Sequence, residues 1–254
     1  MFRAAQENPG RVAAAAAAVV AVAVALALAL NACSAPAAPA PAPKAPLATA
    51  PVATTPVITT PAALCDTPPK APTDKRARTL PDKSTAAGKT FVATITTNCG
   101  VITVELYGAK APQTVASFLS LAKSGYWASS PCHRLTTSGI FVLQCGDPTG
   151  TGSGNPGYNF GVENAPASAT YAPGTLAMAR TTKATSNGGQ FFIVYKQTVL
   201  RDAIGYSVFG RVTSGMGIVD KIAAAGATPP DAGGNTAPVQ PVSILSVVVT
   251  EKKA

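Results

Sequence analysis

Residues 132–147 read CHRLTTSGIFVLQCGD and form the central motif of this chain. Two short apolar runs, 132–135 and 141–144, flank small polar residues and a glycine, which predicts a β-hairpin. The hairpin would carry Arg134 on one strand and Gln144 on the other. A guanidinium is always charged and presents a planar fork of donors. An arginine fixed beside an apolar surface is therefore suited to gripping an amide or a carboxylate.

Two further motifs follow in order. Residues 174–180 read GTLAMAR and 186–194 read SNGGQFFIV, and residues 208–212 read VFGRV. With the hairpin they resemble the cyclophilin family of peptidyl-prolyl isomerases. The family pattern F-H-R-hydrophobic, turn, F-M-x-Q-G-G-D appears here as C-H-R-L, a longer turn, and F-V-L-Q-C-G-D. The pattern M-A-x-A followed by N-G-S-Q-F-F-I appears as M-A-R-T and N-G-G-Q-F-F-I, and V-F-G-x-V is intact.

The resemblance implies a mainly β fold, a closed eight-stranded antiparallel barrel capped by two helices. Residue patterns agree with strands and two helices, because β-branched runs alternate with turn signals and two stretches have helical spacing. The predicted strands are 91–97, 101–106, 175–178, 191–194, 207–212 and 242–250, and the predicted helices are 112–125, opened by Pro112 and ended by Gly125, and 216–225.

The resemblance also assigns roles to residues. Arg134 would donate to the proline nitrogen and carbonyl region, and Gln144 would hold a substrate carbonyl. The reaction breaks no bond, so no cofactor or metal is expected. The residues that the resemblance places along the substrate groove are Phe141, Val142, Ala179, Arg180, Gln190, Phe192, Leu200 and Tyr206.

Several positions depart from the family pattern. Cys132 replaces a phenylalanine, Val142 a methionine, and Tyr206 a pocket histidine. Arg180 stands where the family has asparagine, so its backbone could still pair with a peptide while its side chain adds positive charge to the groove. Val199 replaces a tryptophan of animal cyclophilins, which argues against tight cyclosporin binding.

The N-terminal residues 1–33 predict a lipoprotein signal peptide. Arg3 and Arg11 precede an apolar Ala/Val/Leu run over 12–30, and Cys33 follows a small residue, as at a bacterial lipobox. The alternative is an uncleaved membrane anchor, since the run is long enough to span a bilayer. Either reading places the rest of the chain outside the cytoplasmic membrane, attached to it through the N-terminus.

Residues 34–89 are rich in Pro, Ala and Thr and predict a disordered, extended linker to an isomerase domain at 90–254. The whole chain of 254 residues has a net charge of +9, and part of that charge lies in this linker. Its basic residues lack the interleaved aromatic side chains typical of nucleic-acid binding, so no nucleic-acid partner is expected.

Cysteine usage predicts disulfide bonds. Five cysteines are present, and Cys65, Cys99, Cys132 and Cys145 remain beside the lipidation candidate. Four cysteines in an exported protein allow three pairings. The hairpin places Cys132 and Cys145 within bridging range, which favours that pair and leaves Cys65 with Cys99. Their spacing with the single histidine matches no common zinc pattern.

Two other candidate sites have weaker support. Gly152, Gly154 and Gly157 match the spacing of a dinucleotide-binding loop, but Pro156 denies the helix that such a loop requires, so a mobile loop is predicted. His133 is the only histidine, and no G-x-S-x-G elbow accompanies it, so a hydrolase is not indicated.

The leading hypothesis is a monomeric, exported prolyl isomerase that acts on proline-containing polypeptides and assists their folding. A second hypothesis is a module or holdase that binds proline-containing segments without turnover. A third is a wall-associated spacer in which the linker matters most.

Overall fold

A computed structural model describes residues 65–72, 77–232 and 234–253. These residues form two α-helices, α1 (Pro112–Lys123) and α2 (Met216–Ala224), a 3-10 helix (Lys83–Thr85) and eleven β-strands. The strands are β1 (Thr90–Thr97), β2 (Gly100–Tyr107), β3 (Ser130–Pro131), β4 (Arg134–Thr136), β5 (Val142–Cys145), β6 (Thr170–Tyr171), β7 (Thr175–Met178), β8 (Phe191–Val194), β9 (Thr198–Val199), β10 (Val208–Ser214) and β11 (Ser243–Glu251).

Nine of these strands form one curled antiparallel sheet in the order β3-β11-β1-β2-β10-β7-β8-β5-β4, and β6 pairs with β9 separately. The fold is mainly β with two helices, as predicted, but the prediction of a closed eight-stranded barrel is wrong. The outer edge of β4 bonds to a loop instead of to another strand: the Leu135 N–H donates to the Thr236 carbonyl at 2.7 Å. That contact satisfies the edge without closing the sheet.

The core lies between the sheet and α1. In β1 the side chains of Phe91, Ala93 and Ile95 are buried, and Val92 and Thr94 between them are less so, which is the two-residue alternation of a sheet with one covered face. Phe118 of α1 packs on Trp127 at 4.6 Å between ring centres and on Phe191 of β8 at 5.8 Å. This aromatic packing fixes the helix over the sheet.

A residue distant in sequence caps the start of α1, and a nearby glycine ends the helix. Ala111 offers no side-chain cap, and the Glu163 carboxylate instead accepts from the Gln113 and Thr114 N–H groups at 3.1 and 2.8 Å. A carboxylate there satisfies free donors and complements the helix dipole. At the other end Gly125 has φ +64° and donates to Ala122, as a helix-ending glycine does.

The folded unit includes residues that the sequence assigned to the linker. Cys65 is bonded to Cys99, and the Asp66 N–H donates to the Asn98 carbonyl at 2.9 Å. Ala86 has no exposed surface and belongs to the core. The described residues around Cys65 and Ala86 therefore pack on the domain, because a disulfide and a buried side chain hold them there.

The predicted signal peptide 1–33, the lipidation candidate Cys33 and the linker up to residue 64 lie outside the described residues. Within the part of the chain that the structure describes, no helix has the length and apolar character needed to cross a membrane.

Candidate active site

The hairpin brings Arg134 and Gln144 face to face. Its strands are β4 and β5, each beginning one or two residues later than the sequence indicated, and Arg134 pairs directly with Gln144 in the register. Directly paired residues in an antiparallel ladder have side chains on the same face. The two polar side chains therefore meet on one side of the sheet, where the Arg134 Nη1 donates to the Gln144 Oε1 at 3.3 Å.

A disulfide closes the open end of this hairpin. Cys132 and Cys145 are bonded to each other, and Cys65 is bonded to Cys99. Both pairings are the ones the sequence favoured. The first bridge lies within two residues of Arg134 and is adjacent to Gln144, so it holds the two strands together beside these side chains.

A cavity of about 450 Å³ opens beside Arg134. Its apolar floor belongs to a small cluster in which Val142 and Phe192 are buried and Leu200 and Tyr206 are partly buried. The cavity brings together eight of the ten residues that the resemblance assigned to the site: Arg134, Val142, Gln144, Ala179, Arg180, Phe192, Leu200 and Tyr206. The arrangement is a charged fork of donors at the rim of a hydrophobic pocket.

Gln190 lies in an adjoining cavity of about 730 Å³ that shares Gln144, Ala179 and Arg180 with the first. The Gln190 Oε1 accepts from the Gln144 Nε2 at 2.9 Å. The two cavities together form a groove in which an extended peptide could lie across the Arg134–Gln144 pair.

Phe141 is not brought together with the other residues. Its ring stacks edge-on against Tyr195 at 5.9 Å, and the Lys196 ammonium lies 4.7 Å from its centre. Ile140 lines the cavity in its place. This exchange of Phe141 for Ile140 could have been predicted from the sequence. In an extended chain successive side chains alternate, so Ile140 and Val142 fall on one side and Phe141 on the other.

Other cavity residues lie on two loops. Asn235 reaches the cavity from the loop between α2 and β11, and Thr151, Gly152 and Ser153 reach it from the glycine-rich loop. Both loops join the site only through tertiary contacts.

The Arg180 side chain does not add charge to the groove. It is 1% exposed and forms an ion pair with Asp202. Its Nε donates to the Gly205 carbonyl at 2.7 Å and its Nη1 to the Thr181 carbonyl at 2.7 Å. Because the guanidinium is buried among these acceptors, the main chain of Arg180, and not its charge, faces the cavity.

The glycine-rich loop is organised by a buried carboxylate. Asp147 accepts from the N–H groups of Thr149 and Gly154 at 2.8 and 2.9 Å. A Cβ on Gly154 would lie 1.8 Å from the Asp147 Oδ1, so only glycine fits there. These hydrogen bonds lower the pKa of Asp147 even though burial alone would raise it. No helix starts at these glycines in the described residues, which excludes the dinucleotide-binding geometry.

The electrostatics of the site are dominated by partial burial. Burial lowers the pKa of Arg134 from its usual value, but a guanidinium keeps its charge at any physiological pH. Burial also lowers the pKa of His133, which the Asp147 carboxylate opposes. The site therefore presents one permanent positive charge, at Arg134, beside a neutral imidazole.

Comparison with known proteins agrees with this geometry. Residues 92–249 match the family described as cyclophilin type peptidyl-prolyl cis-trans isomerase/CLD. The probable peptidyl-prolyl cis-trans isomerase B of Mycobacterium leprae is 42% identical over 181 residues, which cover 64% of this chain and 59% of that protein. The protein of the same name from Mycobacterium tuberculosis is 42% identical over 168 residues, covering 60% of this chain and 52% of that protein. This chain thus spans little more than half the length of these relatives.

A crystal structure of a cyclophilin type peptidyl-prolyl cis-trans isomerase from Cryptosporidium parvum, in the presence of the dipeptide Ala-Pro, has a TM-score of 0.53. It is 29% identical and covers 63% of this chain and 99% of that one. The family match covers more than half of the chain, and it includes the hairpin, the pocket and the glycine-rich loop. The chain therefore belongs to the cyclophilin-type peptidyl-prolyl cis-trans isomerase family.

Proposed function

We propose that this protein catalyses the cis–trans isomerisation of X-Pro peptide bonds in polypeptides. The observation that carries the proposal is the placement of the Arg134 guanidinium, paired with Gln144, at the rim of the apolar pocket of Val142, Phe192, Leu200 and Tyr206. The apolar pocket suits a proline ring, and donors of Arg134 beside it could reach the amide of that proline.

Catalysis of this rotation requires only that the site stabilise the twisted state of the peptide bond more than the planar state. Rotation about a peptide bond has a barrier of roughly 18–20 kcal/mol because the C–N bond has partial double-bond character. In the twisted state that character is lost and the proline nitrogen regains its lone pair. A donor that bonds the twisted nitrogen more strongly than the planar amide lowers the barrier. An acceleration of four to five orders of magnitude requires about 5–7 kcal/mol.

Two features of the site support a strong interaction from Arg134. Its partial burial reduces screening by water, so each hydrogen bond to the substrate gains strength. Its orientation is fixed before substrate arrives, because Gln144 holds one amino group of the fork. The presence of the dipeptide Ala-Pro in the crystal structure of the Cryptosporidium parvum relative supports an X-Pro substrate for the groove.

The test is isomerisation of a short X-Pro peptide by the purified full chain and by its Arg134→Ala variant. Removing a preorganised donor of this kind costs about 10²–10³-fold in rate, and we expect a loss of that size in kcat/KM. Arg211→Ala is the matched control, since Arg211 is an exposed arginine of β10 that pairs with Glu105 away from the pocket. The control should keep its activity.

Two results would contradict the proposal. A wild-type chain that binds the peptide yet leaves the isomerisation rate unchanged would point to a proline-binding module without turnover. Equal losses in the Arg134→Ala and Arg211→Ala variants would remove Arg134 from the chemistry.

We further propose that the protein is a monomer, exported and attached to the outer face of the cytoplasmic membrane through a lipid on Cys33, where it assists folding. The apolar run 12–30 followed by Cys33 supports attachment, and the two disulfides suit an oxidising compartment. Labelling cells with a radioactive fatty acid should mark the wild-type protein and leave a Cys33→Ala variant unmarked. Label in both would contradict lipidation at Cys33.

A further inference from the structure

One wall of the pocket lies on a loop without regular structure. Leu200 and Tyr206 both line the cavity, and they lie between β9 and β10, where no strand ladder holds the chain. A pocket wall on such a segment needs other contacts to keep its position. Those contacts come from Arg180, Asp202 and Tyr171.

Arg180 joins the loop to the end of β7. Its guanidinium carbon lies 4.6 Å from the centre of the Tyr206 ring, so the charged plane covers that aromatic face. The Nε donates to the Gly205 carbonyl, one residue before Tyr206, and the Nη2 bonds to Asp202. One side chain thus contacts the loop at three residues.

Asp202 completes the connection. Its Oδ1 accepts from the N–H groups of Ile204 and Gly205 at 2.8 and 3.1 Å and also binds Arg180. The carboxylate is 33% exposed, whereas the Arg180 side chain it pairs with is 1% exposed. A buried guanidinium without its charged partner destabilises the fold, so the ion pair keeps Arg180 attached to the turn at 202–205.

The Tyr206 ring is confined on its other sides too. It meets Phe192 at 5.7 Å in an edge-to-face contact, and the Tyr206 N–H donates to the Tyr171 hydroxyl at 2.9 Å. Phe192 and Tyr171 are both buried members of the apolar cluster that lines the pocket. Phe192 and Arg180 therefore both contact the Tyr206 ring, and Arg180 is the one of the two that lies outside the apolar cluster.

We propose that Arg180 and Asp202 act together as positioning residues that set the width of the pocket, and thereby its preference for the five-membered ring of proline over larger cyclic imino acids. This inference rests on the proposed isomerase function. Neither side chain contacts the reacting bond. They act through Tyr206, whose ring they hold against the pocket.

The experiment compares two peptides that differ only in the ring, one with proline and one with its six-membered homologue pipecolic acid. An extra methylene in a hydrophobic pocket is typically discriminated by roughly 10–200-fold, which is the preference we expect from the wild-type chain. In the Asp202→Ala variant we expect KM for the prolyl peptide to rise with kcat little changed. The preference for proline should fall by about threefold or more, because a released Tyr206 admits the larger ring.

Two variants separate positioning from loss of structure. Asp202→Asn keeps an oxygen that accepts from Ile204 and Gly205 but removes the charge that pairs with Arg180, so it should restore only part of the preference that alanine removes. Arg180→Lys keeps a charge for Asp202 but lacks the planar fork that reaches Gly205 and covers the Tyr206 ring. The Arg180→Lys variant should lose the preference for the prolyl peptide while remaining folded. It is the variant to use if Asp202→Ala fails to fold.

The matched control is Glu251→Ala, which removes an exposed carboxylate paired with Lys89 at 3.1 Å on strand β11. It should leave both KM and the ring preference unchanged. Affinities of the same two peptides for each variant are measured by calorimetry beside the kinetics. A wild-type chain without turnover defeats the proposed function, and the ratio of the two affinities still tests the pocket.

The inference is overturned if Asp202→Ala and Arg180→Lys fold with an unchanged ring preference in affinity and in kcat/KM. It is also overturned if kcat falls for both peptides equally while KM stays constant, since that pattern indicates a general loss of the active conformation.

Discussion

At the scale of single residues, the orientation of Arg134 depends on hydrogen bonds through the side-chain amides of Gln144 and Gln190. The Gln190 Nε2 donates to the carbonyls of Gly152 and Gly154 at 2.9 and 3.0 Å. Carbonyls only accept, so the Gln190 Oε1 must face the other way, toward the Gln144 Nε2. The Gln144 Oε1 is then left to face Arg134. The glycine-rich loop therefore sets which atom of Gln144 the arginine meets.

A Gln190→Ala substitution should weaken catalysis without removing any charge. One lost hydrogen bond of this kind is worth about 0.5–1.5 kcal/mol, so we expect kcat/KM for an X-Pro peptide to fall by about three- to tenfold. Gln113→Ala is the control, because the Gln113 amide donates to the Pro81 carbonyl outside the groove. An unchanged kcat/KM in Gln190→Ala would show that Gln144 holds Arg134 by itself.

At the scale of elements, the hairpin of β4 and β5 is short and is braced at its open end. The ladder contains only three residue pairs, Arg134 with Gln144, Leu135 with Leu143 and Thr136 with Val142. The bridge between Cys132 and Cys145 closes a segment with a sequence separation of 13. Since the pair of Arg134 and Gln144, to which we assign the chemistry, is the one nearest the bridge, the bridge and the candidate site are structurally coupled.

Removing each disulfide by paired alanine substitutions should separate stability from activity. In the chain-entropy account, loss of Cys132–Cys145 costs about 3 kcal/mol and loss of Cys65–Cys99, with a separation of 34, costs about 4 kcal/mol. The melting temperature should therefore fall more when the Cys65–Cys99 disulfide is removed. Peptide isomerisation well below both melting temperatures should be slowed only when the Cys132–Cys145 disulfide is removed.

The Cys65→Ala/Cys99→Ala variant is thus the control for the Cys132→Ala/Cys145→Ala variant. Equal catalytic rates in the two variants and the wild type would show that the ladder alone maintains the register of Arg134 and Gln144.

At the scale of the whole molecule, one buried imidazole makes stability depend on pH. Burial lowers the pKa of His133 in the folded state, whereas in the unfolded chain it is about 6.5. The unfolded chain then binds more protons between these two values, so the free energy of unfolding falls as the pH drops below about 6.5. His133 is the only histidine in the chain, which makes its contribution separable.

A His133→Gln variant should lose less stability than the wild type when the pH is lowered from 7 to 5. The wild type should lose up to about 1.4 kcal/mol per pH unit in this window through His133. The buried Asp147 carboxylate, whose pKa is lowered, contributes at lower pH, below about 4. Urea titrations at pH 7, 6 and 5 measure the difference. An equal decrease in the free energy of unfolding of the two proteins between pH 7 and pH 5 would show that His133 is solvated in the folded state.

Local patterns in the sequence were enough to predict the central hairpin, the strands around it and the helix from Pro112. The alternation of apolar residues, the turn between them and the helix-ending Gly125 all act over a few residues. The same short range explains why the pairing of Cys132 with Cys145 was predictable, since the hairpin that joins them is local. The motifs that carry the family resemblance indicated eight residues of one cavity.

Tertiary structure decided the features that depend on residues far apart in the chain. The sequence predicted that Arg180 would add positive charge to the groove. In the structure its side chain is buried against Asp202 and Tyr206. Glu163 caps α1 from outside the helix, and Thr236 covers the edge of β4 and leaves the sheet unclosed. Such contacts leave no periodic trace, because each joins single residues whose neighbours in sequence lie elsewhere. Residue patterns in the sequence therefore predicted the central hairpin, the longer strands and the two helices, whereas long-range packing sets the shape of the pocket.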